Sequence, residues 1–188
     1  MRLVFTAVTL ILLTFQVYAA EIGLNSTAVT DDIIASGQIV TGDANKVSSL
    51  MRKTVGDGKA HRFIIHSPGG NVTEAIAIGN LLRSNGFSVF EPPQVSCISA
   101  CVFAIAGGTS RTLMGKVGLH HPYLPNVLAS NPAAIEVQTE GKQSMTAYME
   151  KMGVKEEVVE VMYSIKDPEQ IRYLDTQELR AYQLSTSK

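Results

Sequence analysis

Apolar positions change period along the chain, and the changes outline its elements. The stretch before Ile33 carries no clear period and predicts a loosely ordered lead-in. Ile33-Ile34, then Gly37 to Val40, predict a first strand or hairpin. Asp43 to Lys53 predicts a helix with Val47, Leu50 and Met51 on one face. Gly56, Asp57 and Gly58 punctuate it. His61 to His66 predicts a short strand running into Ser67-Pro68-Gly69-Gly70. Asn71 and Glu74 are spaced as a capping box. Val72, Ala75, Ile76, Gly79 and Leu82 then recur at helical spacing until Gly86. Phe87 to Phe90 predicts a strand closed by Pro92-Pro93. Ser99 to Ala106 is apolar after its serine, the pattern of a short buried helix. Leu113 and Val117 to Leu119 predict short strands. Ala133 to Met152 and Lys155 to Tyr163 predict two helices, and Leu174 leads into a last helix around Thr176 to Tyr182. The order β-α-β-α-β implies an α/β class with right-handed crossovers and a mainly parallel sheet.

The first residues change the picture of where the chain works. Met1-Arg2 supplies one positive charge, Leu3 to Phe15 is apolar, and Val17-Tyr18-Ala19 offers small residues at cleavage offsets. The run is short of the ~20 residues of a membrane span. Residues 1–19 are therefore expected to be a signal peptide, with a signal anchor as the alternative. The expected location is exported, periplasmic or secreted. Of 188 residues, removing 19 leaves 169, a length that fits a single domain, residues 20–188. The formal charge of -1 becomes -2 once Arg2 is lost. No basic run points to nucleic acid or an anionic membrane surface. Neither a cofactor motif nor a metal-ligand set is present.

Two segments could carry chemistry. Ser67-Pro68-Gly69-Gly70 lies between a strand and a helix start. Glycines there permit positive φ and close approach to the main chain. Free N–H groups at a helix N-terminus favour an anion or oxyanion. A plain turn has the same composition. Ser99 opens the buried helix with the helix dipole behind it. That suits a nucleophile, and it also suits an ordinary N-cap. His120 ends a short strand and is the usual type of base for a hydroxyl nucleophile. His121, His61 and His66 are expected to be structural. Cys97 and Cys101 either form a disulfide, as an oxidising compartment would allow, or pack as buried thiols.

Together these residues resemble the proteolytic subunit of the Clp protease, in the crotonase-like superfamily. The resemblance rests on Ser67-Pro68-Gly69-Gly70, Ser99-Ala100, Gly107, Arg111 and Leu119-His120-His121-Pro122. It is stronger still to small exported bacterial proteins of that fold, whose nucleophile segment reads Cys-x-Ser-Ala-Cys. It spans Ile33 to Leu184 and includes an equivalent of the family's helical handle at Ala133 to Val161. It implies a ClpP/crotonase-like fold with Ser99 as nucleophile and His120 as general base. Gly70 and Ala100 would supply the oxyanion hole, where losing one donor costs ~3 kcal/mol.

The third triad member is where the chain departs from the pattern. Counting back from Tyr173-Leu174 lands on Ile171, which cannot orient a histidine. Counting forward from His120 reaches Glu169, with Asp167 as the other candidate. A Ser-His dyad without an acid is the remaining arrangement.

The resemblance implies an exported serine hydrolase acting on peptides or unfolded proteins by acyl transfer. A catalytically silent binding or scaffold protein is the alternative. An acyl-CoA enzyme is disfavoured by the expected export. A homo-oligomer built through the handle is compatible with the family, and no ATPase partner is expected outside the cytoplasm.

Overall fold

The computed structural model describes residues 18–54, 56, 58–122, 132–167 and 169–187. The expected signal peptide lies outside these residues except for Tyr18 and Ala19. A five-stranded sheet has the order β1-β2-β3-β4-β6, formed by Glu21–Ser26, Thr30–Ser36, Ala60–His66, Ser88–Glu91 and Arg111–Leu113. Pairing is parallel from β2 to β6, whereas β1 runs antiparallel to β2 in the register Glu21↔Ser36 to Ser26↔Asp31. A second sheet, β5-β7-β8, is formed by Ser96–Ile98, Lys116–Leu119 and Arg172–Tyr173. There β5 and β7 are parallel, and β8 closes antiparallel to β7. The expected parallel core is thus present, with an antiparallel strand added to each sheet.

Three strands depart from the sequence expectation: β1, β5 and the two-residue β8. β1 occupies the stretch expected to be loose. Only Ile22 and Leu24 of its side chains pack against the core, so its alternation is too brief to read. β5 is three residues long, below the length at which period shows. A bridge between Ser67 and Cys97 couples the two sheets, with Ser67 N–H donating to Ser96 O at 2.9 Å and Ile98 N–H to Ser67 O at 3.0 Å.

Helix α1 spans Asp43–Met51 and α2 spans Val72–Ser84. Asn71 caps α2 by accepting the Glu74 N–H at 3.1 Å. The Glu74 carboxylate does not return that bond. It accepts the Ala44 N–H at 2.9 Å and so ties α2 to α1. Helix α3, Cys101–Ala106, is buried at all six residues, as a helix without a polar face must be. Helices α4, Pro132–Lys151, and α5, Glu157–Ser164, occupy the position of the expected handle, and α6 is Thr176–Ala181. No described helix is long and apolar enough to cross a membrane. One continuous apolar cluster joins the large sheet, α2, α3, α4 and α5.

Candidate active site

The turn from β5 into α3 places Ser99 before the helix rather than in it. Ala100 is the N-cap, and Ser99 adopts φ +59°. A non-glycine residue in that region costs on the order of 1 kcal/mol and must be held by its surroundings. Several contacts hold this one, among them the Val102 N–H, which donates to Ser99 O at 3.0 Å. Ser99 N–H donates to Gly118 O at 2.9 Å. Cys97 and Cys101 are joined by a disulfide across the turn, with Cα atoms 5.3 Å apart. Gly69 presses its backbone against the turn: a Cβ there would lie 2.7 Å from both Ile98 O and the Ser99 Cβ.

The loop after β3 lies alongside. Gly69 and Gly70 have φ +104° and +132°, conformations that L side chains rarely adopt. Ile39 N–H donates to Gly69 O at 2.8 Å and Asn71 N–H to Ile39 O at 2.9 Å, so the end of β2 braces the loop from behind. Among the described residues, neither the Gly70 nor the Ala100 N–H donates to a backbone acceptor.

His120 follows β7. Its Nδ1 lies 2.7 Å from His121 O. A carbonyl only accepts, so in the neutral imidazole Nδ1 carries the proton and the lone pair is left on Nε2. His121 repeats the device, with Nδ1 3.0 Å from Pro122 O, and its ring meets Tyr163 of α5 edge-on at 5.3 Å.

Ser99, His120 and Gly70 line one cavity of about 740 Å³. Its floor and walls include Gln38, Val72 and Ile76 of α2, Ser144 and Met145 of α4 and Met162 of α5. The handle thus closes one side of the site, which reading the helices singly did not reveal. Val72 and Ile76, four residues apart on one helical face, were the available signal.

The sequence-derived acid is not brought to this cavity. Glu169 is exposed, and its N–H donates to the exposed Asp167 carboxylate at 3.0 Å. Among the described residues neither carboxylate bonds to His120. Ile171 packs over Gly118, where a Cβ would come 2.8 Å from its side chain.

The far end of α3 is pinned as firmly as its start. The buried Arg111 guanidinium donates to Ala106 O at 3.3 Å, Gly108 O at 2.7 Å, Leu184 O at 2.9 Å and Gln183 O at 2.7 Å. Burial pushes its pKa down to about 10, which still leaves it charged at neutral pH. Arg83 adds bonds to Ala106 O at 3.3 Å and Met152 O at 2.8 Å. Tyr148 of α4 donates to Phe103 O at 2.7 Å. Burial raises the Tyr148 pKa, so its hydroxyl keeps the proton it donates.

Neither a family model nor a curated protein sequence matches this chain. Its fold does match a solved structure, that of 1510-N, a membrane-bound stomatin-specific protease, in a serine-to-alanine variant. The TM-score is 0.62 over 84% of this chain and 76% of that one, at 15% identity. At that identity the likeness speaks for the fold. The chain therefore has a mixed α/β fold shared with a protease.

Proposed function

We propose that this protein is an exported serine hydrolase, acting as a peptidase by acyl transfer through a Ser99-His120 dyad. The observation that carries the reading is local. Ser99 is held at positive φ on the wall of a cavity shared with a histidine whose Nδ1 is occupied and whose Nε2 is free to accept a proton. Ser99 Oγ attacks a substrate carbonyl and His120 Nε2 takes its proton. The Gly70 and Ala100 N–H groups receive the oxyanion. His120 then returns the proton to the leaving amine, and water repeats the cycle to free the acid. In this scheme the His121 carbonyl does what a triad carboxylate does in orienting the imidazole, without its charge.

A fold shared with a protease supports the peptide substrate class. The test is a fluorophosphonate probe on the purified protein and on Ser99→Ala. Labelling of the wild type alone is the expected result. Equal labelling of both removes Ser99 as nucleophile and leaves the silent binding protein as the better reading.

A further inference from the structure

The disulfide encloses the proposed nucleophile in a short ring. Cys97 lies in β5, Cys101 begins α3, and Ser99 sits midway, the bond spanning a sequence separation of 4. Both cysteines are fully buried in the core, Cys101 at the first position of a helix that has no polar face.

Two physical facts decide what such a bond does. The stabilisation a cross-link gives through the unfolded chain grows with the length of the loop it closes, so a ring this short contributes about 2 kcal/mol, less than a long one would. The same ring excludes most alternative paths for its three inner residues. One of them, Ser99, stands at φ +59°, where a side chain is disfavoured and which the turn would leave if free. No side-chain cap holds α3 at this end, and Ala100 is the N-cap residue. Of the contacts at the turn, the disulfide alone is covalent. The others are main-chain hydrogen bonds, Ser99 N–H to Gly118 O, Val102 N–H to Ser99 O and Ile98 N–H to Ser67 O, and the packing of Gly69.

We propose that Cys97 and Cys101 are positioning residues, whose bond locks the Ser99 turn in its reactive conformation. The inference rests on the serine-hydrolase reading for its kinetic consequence but not for its structural one. With the bond open, the turn relaxes toward ordinary φ. Ser99 Oγ then shifts relative to His120 and Gly70, with which it lines the cavity. A misplacement of about 1 Å costs on the order of 100-fold in rate. The hydrolase would work only where disulfides persist, which is the compartment its N-terminal segment suggests.

The experiment compares wild type with the double variant Cys97→Ala/Cys101→Ala in two arms. In the kinetic arm, fluorophosphonate labelling and kcat on a small ester should fall about 100-fold, with KM within about twofold. In the structural arm, hydrogen exchange of the Ser99 amide should accelerate at least about tenfold more than that of the β2 and β3 amides. Unaltered exchange at Ser99 overturns the lock, whatever the activity. Faster exchange with undiminished labelling overturns the positioning role. If the wild type itself fails to label, the hydrolase reading falls, and the exchange arm still decides the lock. Should the double variant not fold, wild type reduced with a phosphine takes its place. Reoxidation must then restore both the slow exchange and the rate.

Discussion

Gly107, just past the end of α3, packs its backbone directly on Gly79 in the middle of α2. A Cβ on Gly107 would overlap the Gly79 carbonyl and Cα. A Cβ on Gly79 would overlap the Tyr148 hydroxyl and meet Phe103 O at 2.8 Å. The helices that begin after the Gly69-Gly70 loop and at the Ser99 turn therefore approach as closely as main chain allows. Gly107→Ala should cost about 3 kcal/mol, the upper part of the range for overpacking, because the obstacle is backbone that cannot rotate away. Urea unfolding of the variant measures it; a loss below about 1 kcal/mol would mean that the helices slide apart at little cost.

Glu91 ends β4 and is fully buried. Burial pushes its carboxyl up to about 7 from the ordinary 4.5. The N–H groups of Gly115 and Cys97 favour the ionised form, yet neither reaches hydrogen-bond geometry with it. The folded state thus holds this proton more tightly than the unfolded chain. The stability it contributes is full below 4.5 and is lost as pH rises through about 7. Glu91→Gln should leave stability near pH 4.5 almost unchanged and raise it by roughly 1–3 kcal/mol near pH 8. Urea midpoints at the two pH values check this. A wild-type-to-variant difference that does not move with pH would show that Glu91 does not titrate in this range.

The third position of the proposed machinery separates side chain from main chain. Glu169→Gln and Asp167→Asn should each leave the ester rate within about twofold of wild type, since both carboxylates face solvent. His120→Asn should lower it by 10²–10⁴, about the value of a general base. A large loss in Glu169→Gln would mean that the loop rearranges to bring the carboxylate to His120 when substrate binds.

Tyr148→Phe removes the donor to Phe103 O and leaves a buried carbonyl unpaired. The expected cost is about 1–2 kcal/mol. It links α4 to α3, so its effect should include faster exchange in α3. Thermal unfolding and amide exchange read the two parts separately.

The elements legible in the sequence were those that carry their own signals. Helix α2 has a cap, a period and a glycine stop. Helix α3 is apolar throughout, and β3 ends at a glycine pair. β1 and β5 were not legible, because an edge strand with two packed side chains and a three-residue strand have no period to show. At the candidate site, Ser99, His120, Gly70 and Ala100 stood out by type and order. What the order did not give was the acid, since its position depends on how the loop after α5 crosses β7. The state of Cys97 and Cys101 was equally open in the sequence. A separation of four brings Cβ atoms together only if the residue between them turns as Ser99 does, and a serine at positive φ is not something local sequence announces.

The clamp on α3 also orders events in time. Arg111 reaches Ala106 O and Gly108 O close by, but its other two acceptors, Gln183 O and Leu184 O, lie 72 and 73 residues further along. A chain still being synthesised or translocated can form the Ser99 turn well before those carbonyls exist to anchor the helix behind it. The support behind Ser99 is thus completed by residues that leave the ribosome long after Ser99 itself. A truncated or half-emerged chain would carry Ser99, His120 and the glycines, and still lack the two carbonyls that anchor the helix behind them.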